Sequence, residues 1–598
     1  MLAAWLCGLT IVLPWAGALL TWRAGDGRPR LRDSLAVVFA AAGGIAAAAL
    51  IAAASGQAVI RVWMGAAFGM FSFVPDGLGV TLAAVAALIG ALAVVFSLDY
   101  MRGEAQLARY YALVLLFIGA MAGLVLTSSL LLMFAFWEIT ALCSYALISF
   151  HNDDPKAVHG GVKALVITQL GGIGLLAGAL LIYTQTGSFD LADFLARAGS
   201  IPPPVLGWIA FGFLAAAAAK SAQFPFQTWL PDAMEAPTPI SALIHAATMV
   251  NAGVYLMLRF YPAFQGVPGW TAAVCAVGTI TALLAAVMAA AASDLKRVLA
   301  YSTVSQLGFL FFAAGAGGLL AGPFHLLSHS IFKALLFLGA GAVIHAVGTR
   351  DMRQMGGLRR AMPVTFALFS AGALALAGIP PFNGFWSKEF LLEAGLAGAP
   401  AWCAPVLVLT AGLTAFYSLR CTAMVFLGPG PSGPRHAPPH APAHGPIHDA
   451  GKFMQAALWP LAVGALLSSL LAGPFSRLLA AAANPAAGSR VQPLSTGEFY
   501  LEILRGGSTS VVLAAAGLGV LAWAWRARLA KVDFLARPLC WAAEHHFGFE
   551  AVNRGVTAAT VWASERLRLT QTGLLNWNIA ALVATLVLLL LGLLIFGA

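Results

Sequence analysis

The sequence predicts an all-α integral membrane protein of about 16 transmembrane helices, with two inverted five-helix repeats and a C-terminal interfacial helix. Of the 598 residues, 60% are hydrophobic and only 9% are charged, whereas average soluble domains carry about 25% charged residues. The apolar residues form runs long enough to cross a bilayer, which takes about 20 residues in a helix. Two of these runs are interrupted by prolines beside a buried lysine, which indicates a repeated functional unit.

Sixteen apolar runs are the candidate spans. The first of them lacks the basic start and small-residue cleavage site of a signal peptide, so we expect it to remain as a span. The runs are 2–22, 35–55, 78–98, 110–126, 128–149, 162–184, 205–224, 240–261, 270–292, 296–316, 322–347, 362–389, 401–427, 452–474, 508–526 and 577–597.

The distribution of Lys and Arg predicts the orientation. If both termini lie outside, the loops after odd-numbered spans are cytoplasmic, and these loops hold most of the Lys and Arg residues, as in 23–32 and 350–360. This agrees with the positive-inside rule. The net charge of +10 therefore favours basic cytoplasmic loops over nucleic-acid binding, and we expect a multi-pass protein of the bacterial inner (cytoplasmic) membrane.

The six cysteines are scattered and contain no CxxC pair, which argues against disulfides, zinc and iron–sulfur ligation. The chain also lacks a phosphate-binding loop and a dinucleotide fingerprint. We therefore expect no cofactor and no catalytic redox centre in this chain. If electron transfer drives it, the electrons run in another subunit of an oxidoreductase of the NADH-quinone or hydrogenase type.

Two segments fall outside the apolar runs. Residues 428–449 form a Pro/His-rich loop whose prolines prevent a helix; we expect a flexible exposed loop, with a metal site as the alternative. Residues 529–570 mix Trp and Arg with aliphatic residues, which predicts an interfacial amphipathic helix. Pro538 and Gly548 argue against one unbroken rod. The histidines of the loop are His436, His440, His444 and His448.

Two broken helices define the predicted repeat. Pro225 follows Lys220, and Pro380 and Pro381 precede Lys388. The two helices are five spans apart, and an odd interval reverses the membrane orientation, as in an inverted repeat. The predicted domains are 1–100 (N-terminal helices), 101–262 (first repeat), 263–427 (second repeat), 428–451 (loop) and 452–598 (C-terminal helices).

Glu138 and Lys220 are the first candidate pair for proton translocation. Each lies inside an apolar stretch, and a charge at the centre of a membrane helix costs roughly 3 kcal/mol on insertion scales. Burial disfavours the charged form and an opposite charge restores it, so a paired lysine can be switched between protonated and neutral. A static buried ion pair is the alternative, although such pairs rarely stabilise a fold relative to apolar residues.

His325, His329 and Lys333 recur at intervals of four and share one helix face. Histidine titrates near neutral pH and can relay protons; a metal site is the alternative, but a third ligand is missing. His245 follows the first broken helix, and we expect it to join this relay, with a satisfied core histidine as the alternative. Lys388, with Glu389 beside it, ends the path.

Three further charges have no single assignment. Asp232 and Glu235 suit either a cytoplasmic intake for protons or a loop cap, and Arg420 is buried in the thirteenth run without a specific role.

Four long motifs resemble the antiporter-like subunits of respiratory complex I, of Mrp-type Na⁺/H⁺ antiporters and of membrane-bound hydrogenases. They are KSAQFPFQTWLPDAMEAPTPISALIHAATMVNAGVYL, DLKRVLAYSTVSQLGF, FHLLSHSIFKALLFL and GIPPFNGFWSKEF. The resemblance extends from about residue 80 to 430 and implies 14 or more helices with two inverted units. It also implies Glu138 and Lys220 as the coupled pair, Lys388 as the terminal lysine, and a central relay of His245, His325, His329 and Lys333.

The sub-family stays open at this point. Gln169 and Gly172 stand where the large L-type subunits of complex I usually show an arginine and an aspartate, so this segment resembles the Mrp and membrane-hydrogenase relatives more. Three functions are compatible with the resemblance: a proton-translocating subunit of a redox-driven complex, an Mrp-type Na⁺/H⁺ antiporter subunit without redox chemistry, or a membrane partner that energises inorganic-carbon uptake. All three imply other membrane subunits as partners, with protons or Na⁺ as the coupling ion.

Overall fold

The computed structural model describes residues 1–65, 69–396, 398–428, 447–481, 492–525 and 537–568. Within them, 14 helices are long and apolar enough to cross a membrane, and one shorter apolar helix accompanies them. The chain is therefore a multi-pass membrane protein dominated by α-helices. Its core is formed by Ala, Leu, Val and Phe side chains between the helices, and in such a packing small residues let helix backbones approach closely.

The N-terminal half of the chain consists of three leading helices and a first group of five spans. A short antiparallel hairpin separates the second and third helices. The elements are α1 (Leu2–Ala24), α2 (Pro29–Ala52), β1 (Ile60–Trp63), β2 (Met70–Phe73), α3 (Gly77–Tyr100), α4 (Leu107–Leu126), α5 (Leu130–Ile148), α6 (Pro155–Thr186), α7 (Leu191–Arg197), α8 (Pro203–Lys220), α9 (Trp229–Asp232), α10 (Thr238–Ala242) and α11 (Met249–Phe264).

The second half contains a further five spans and the C-terminal helices. Its elements are α12 (Trp270–Ala291), α13 (Leu295–Gly315), α14 (Ala321–Val347), α15 (Pro363–Ala377), α16 (Asn383–Leu396), α17 (Cys403–Thr422), α18 (Lys452–Leu467), α19 (Ala472–Ala481), α20 (Thr496–Arg505), α21 (Gly507–Ala524), α22 (Arg537–Glu544) and α23 (Phe549–Arg568).

Fourteen of the sixteen predicted runs coincide with helices long enough to span a membrane. The run 362–389 is divided between the shorter helices α15 and α16, and the run 577–597 lies outside the described residues. Most of the Pro/His-rich loop also lies outside them. The hairpin of β1 and β2 was not predicted. Its strands have only four residues each, and short apolar segments between long helices are easily taken for loop.

Ion pairs on the two faces agree with the alternation of spans. We call the face with the loops after odd-numbered spans the inner face, following the Lys/Arg prediction, and the opposite face the outer face. On the inner face Asp232 pairs with Lys163 at 2.7 Å. On the outer face Arg259, in the last turns of α11, pairs with Asp76 before α3. Each pair joins segments that the predicted topology places on the same side.

The same backbone contact occurs twice, five spans apart. At the start of α5, Leu130 donates to the Phe189 carbonyl at 2.8 Å, and Leu191 donates back to Ser128 at 2.8 Å. At the start of α13, Leu295 donates to Arg350 at 2.8 Å and Met352 donates back to Ser293 at 2.9 Å. The first contact lies on the outer face and the second on the inner face, which is the relation an inverted repeat predicts. The repeat boundaries stay a prediction.

The described part of the predicted amphipathic segment, residues 537–568, contains the two helices α22 and α23. Between α22 and α23 the chain turns at His546, Phe547 and Gly548, all of which have positive φ. The expectation that Gly548 prevents one unbroken rod is therefore confirmed. The position of this segment at a membrane interface stays a prediction.

Candidate functional site

Lys220 is the last residue of α8 and is fully buried, with 0% of its surface exposed. Its ammonium donates a hydrogen bond to the Trp137 carbonyl of α5 at 2.8 Å and lies 4.9 Å from the centre of the Trp137 ring. A carbonyl oxygen and an aromatic face both stabilise the protonated lysine, and neither adds a negative charge beside it. Lys220 therefore lies on the seventh span and contacts the fifth.

The helix breaks directly after Lys220. The chain reverses at Ala222, which has φ of 50°, and the end of α8 is capped by the indole of Trp229, which donates to the Ala219 carbonyl at 2.9 Å. Sequence reasoning placed the break at Pro225, and the helix ends five residues earlier because these contacts satisfy its last carbonyl groups. The peptide bond before Pro225 is cis.

Glu138 lies one residue after Trp137 on α5 and is half-buried. No ion pair within 4 Å joins it to Lys220 in the described part of the chain, although the two groups interact electrostatically. A direct contact is not formed because Lys220 reaches the Trp137 backbone instead. The carboxyl group faces α6, where Gln169 approaches it and a Cβ on Gly172 would lie 2.8 Å from its Oε1.

His245 lies on a π-helical turn, Leu243–Ala247, in the middle of the eighth span. Its ring packs against Phe337 of α14 with 4.7 Å between centroids. Both ring nitrogens are buried, and neither has a hydrogen-bond partner among the described residues. A π turn is frequent at functional sites, and the relay role of His245 stays a prediction.

Lys333 and His329 lie one turn apart on α14, and both are fully buried. The Lys333 ammonium donates to the hydroxyl of Ser302 and to the Leu299 carbonyl, both on α13. His329 lies within electrostatic range of Lys333 and of His245. The face of α14 that carries His325, His329 and Lys333 therefore lies toward both α13 and the π turn.

His325, on the same face of α14, contacts the second broken helix. Its Nδ1 lies 2.9 Å from the hydroxyl of Ser387 on α16, and its Nε2 has no partner among the described residues. Ser387 precedes Lys388 in the chain. A hydroxyl can both accept and donate, so this contact is suited to proton transfer between α14 and α16.

Lys388 lies on the second half of its broken helix. The break runs from the end of α15 at Ala377 to Asn383, around Pro380 and Pro381, as predicted. The Lys388 ammonium donates across the break to the Leu376 carbonyl at 3.0 Å. Glu389 beside it is buried, and its Oε2 has no partner among the described residues.

Sequence reasoning missed several buried polar groups near this series. Lys296, at the start of α13, is buried and donates to the Met234 and Ala236 carbonyls at 2.7 and 2.6 Å. Gln306 on the same helix is fully buried, and its amide has no partner within the described ranges. Lys296 is part of the DLKRVLAYS motif, and its position at a helix end concealed its burial.

The remaining charges have structural contacts. Asp232 and Glu235 form ion pairs with Lys163 and Arg350 on the inner face, which favours the loop-cap interpretation. Arg420 donates to the Ala292 carbonyl at the end of α12 at 2.7 Å and so caps that helix. Across the described residues no group of three His, Cys, Asp or Glu side chains could hold a metal ion.

Comparisons with known proteins follow the same residues. A family model described as "NADH:quinone oxidoreductase/Mrp antiporter, TM" matches residues 127–414. A second, described as "NADH-Ubiquinone oxidoreductase (complex I), chain 5 N-terminus", matches residues 65–111. The two matches together cover more than half of the chain and include every candidate site residue from Glu138 to Lys388.

This chain belongs to the superfamily of antiporter-like subunits of complex I and Mrp antiporters. The NAD(P)H-quinone oxidoreductase subunit 5 of Paulinella chromatophora is 44% identical over 369 residues, 59% of this chain and 55% of that protein. The Na(+)/H(+) antiporter subunit A1 of Staphylococcus aureus is 39% identical over 404 residues, 62% of this chain and 50% of that protein. This member of the superfamily thus spans about half the length of the curated relatives it matches.

A solved structure is similar over almost the whole chain. The Mrp complex from Dietzia sp. DQ12-45-1b contains a chain that superposes with a TM-score of 0.80 at 32% sequence identity. The match covers 98% of this antiporter-like subunit and 62% of that chain.

Proposed function

We propose that this chain translocates protons as an antiporter-like subunit of a multi-subunit energy-converting complex in the bacterial inner membrane. The observation that carries the proposal is a row of buried titratable side chains on and between the two broken helices. Neighbouring groups from His245 to Lys388 lie within electrostatic range of one another, and Lys220 is coupled in the same way to Glu138. The row comprises Lys220, His245, His329, Lys333, His325 and Lys388, with Glu138 at its start.

The electrostatics of this row support transport over a structural role. Lys333 and Lys388 lie within electrostatic range of each other. In an apolar interior, a positive charge on one lysine disfavours the protonated form of the other. The proton content of one therefore depends on that of the other. A row in which each site responds to its neighbour can pass a proton along and can report its charge state to both broken helices.

Unpartnered nitrogen atoms supply the transfer sites. His245 and His329 have both ring nitrogens buried and without partners in the described structure. A neutral imidazole accepts a proton on one nitrogen and releases one from the other. Water bound between these rings would complete the connections, since buried polar groups are satisfied by protein or by water.

The driving partner is a subunit outside this chain. The relatives named above are subunits 5 and A1 of larger assemblies, and the structural match belongs to a complex. We propose other membrane subunits as partners, with an energy-converting reaction that changes the charge near Glu138 and so shifts the proton on Lys220.

An Mrp-type antiporter subunit without redox chemistry is the second candidate. Gly172 makes room for the Glu138 carboxyl group, and Gln169 approaches that group without adding a charge. A charged pair at these two positions, which is usual in L-type subunits, would change the field at Glu138. The neutral pair and the Dietzia match favour the Mrp interpretation within the same overall function.

The test uses vesicles that carry the complete complex. Proton movement is followed by a pH-sensitive dye, with and without Na⁺ and with and without the substrates of candidate partners. We expect Lys220→Ala to abolish driven proton movement while the complex still assembles. Lys452→Ala, at an exposed lysine that begins α18, is the matched control and should leave the rate unchanged. Normal proton movement by Lys220→Ala would contradict the proposal, and Na⁺ dependence would select the antiporter candidate.

A further inference from the structure

Three carboxyl groups near Lys388 become less buried in order, and the predicted topology places them toward the outer face. Glu389 is 1% exposed, Glu393 is half-buried and Glu502 is exposed. Glu389 and Glu393 belong to α16, and Glu502 belongs to α20. The series therefore begins beside a lysine that is 2% exposed and ends at an exposed carboxyl group.

The spacing places the first two carboxyl groups together. Positions 389 and 393 are four residues apart on one helix, where side chains are neighbours with about 5–6 Å between Cβ atoms. The two groups interact electrostatically. The Oε2 atom of Glu389 is buried without a partner in the described residues, so it has a free position for a proton or a water molecule.

The C-terminal helices enclose the second step. Ser508, at the start of α21, donates a hydrogen bond from its hydroxyl to Glu393 Oε2 at 2.7 Å. A Cβ on Gly506, in the turn between α20 and α21, would lie 3.0 Å from the same oxygen. Glu502 on α20 lies within electrostatic range of Glu393. The turn of residues 506–508 therefore packs directly on the Glu393 carboxyl group.

We propose that Glu389, Glu393 and Glu502 form the outer opening of the proton path, through which Lys388 exchanges protons with the outer face. This inference rests on the proposed function and adds a role for the C-terminal helices α20 and α21. Carboxyl groups can relay a proton to and from a positioned neighbour. In the competing case Glu389 is only a counter-ion for Lys388, and Glu393 and Glu502 have no effect on transport.

The first experiment measures driven proton movement in vesicles that carry the complete complex. Glu393→Gln should lower the rate about tenfold or more, since a relay group is removed while its shape and its bond to Ser508 are kept. Glu502→Gln should lower it only about twofold, because solvent water can replace an exposed carboxyl group. Glu498→Gln is the matched control on the same helix: its side chain closes a capping box with Ser495, which glutamine also supports, and its rate should not change.

A second experiment tests the side of the membrane and does not depend on the loss of a carboxyl group. Ser508→Cys is treated with a membrane-impermeant, positively charged thiol reagent. Reagent added at the outer face should lower proton movement about tenfold, and reagent added at the inner face should have no effect. The unsubstituted complex serves as the control, because five of its described cysteines are buried and Cys540 is partly buried.

The outcomes separate the two proposals. If the unsubstituted complex moves no protons under any drive, the proposed function is wrong. If it moves protons normally and Glu393→Gln matches it, or if outer-face modification of Ser508→Cys has no effect, the outer path through α20 and α21 is wrong and the proposed function remains.

Discussion

The two broken helices hold their lysines in different ways. Lys220 is the last residue before its break and reaches across to another helix, where it donates to the Trp137 carbonyl. Lys388 follows its break and donates back to the first half of its own span, at the Leu376 carbonyl. The first lysine therefore bonds to a different span, whereas the second bonds to the other half of its own span.

The carboxyl groups differ as well. Glu138 is half-buried on another helix and interacts with Lys220 only over a distance, whereas Glu389 is the residue next to Lys388. A distant partner can change its influence when α5 or α6 moves or when its own charge changes. Under the proposed function, the first site is therefore expected to receive a signal and the second to exchange protons.

The largest effect should follow from removing either lysine. Lys388→Ala should lower driven proton movement by about 100-fold or more, the loss also expected for Lys220→Ala. Each lysine is a transfer site in the proposed function, and a positioned proton-transfer group contributes about 10²–10⁴ in rate. Proton movement in vesicles measures this, and the yield of assembled complex is the control. Substantial transport by Lys388→Ala would contradict the prediction, because the lysine of the second broken helix would then be dispensable.

A smaller effect should come from the link between the central helix and the second break. Ser387→Ala removes the hydroxyl that contacts His325 Nδ1 at 2.9 Å, and we expect a loss of about tenfold, since water can bridge part of the gap. Ser370→Ala is the matched control on α15, because the Ser370 hydroxyl has no partner among the described residues. Equal rates for the two variants would show that the second lysine is supplied by another route.

The smallest effect should come from crowding the first carboxyl group. Gly172→Ala places a methyl group 2.8 Å from Glu138 Oε1, so the carboxyl group must shift, and we expect a loss of about threefold since the change in field at Lys220 is small. Gly207→Ala on α8 is the control, because its added Cβ meets no atom within 4 Å. A rate for Gly172→Ala equal to that control would argue that the position of Glu138 does not matter.

Much of the fold follows from the sequence because the bilayer dictates it. An apolar run of about 20 residues has few alternatives to a spanning helix, and the break at Pro380 and Pro381 follows from the missing backbone donors. The π turn at His245 is different, since it depends on contacts that helix α14 provides and leaves no pattern in the local sequence.

The burial of the candidate site residues could be predicted from the sequence, and their contacts less well. Spacing of four along α14 places His325, His329 and Lys333 on one face, and the structure has them so. Glu138 and Lys220 were predicted as a coupled pair, and the structure has them interacting electrostatically without an ion pair. The distance between them could not be predicted, because sequence spacing does not tell how far a side chain reaches between helices. The Lys220 ammonium donates instead to the backbone carbonyl of Trp137, a contact that no sequence pattern indicates.

The central claim is that Lys220 acts by losing and regaining a proton and not merely by carrying a charge. Lys220→Arg tests it most directly, because arginine keeps the positive charge but does not release its proton in proteins. The measurement is driven proton movement in vesicles that carry the complete complex, with assembly checked in parallel. We predict that Lys220→Arg assembles normally and that its proton movement is reduced by about 100-fold or more. Proton movement at the unsubstituted rate would contradict this role of Lys220.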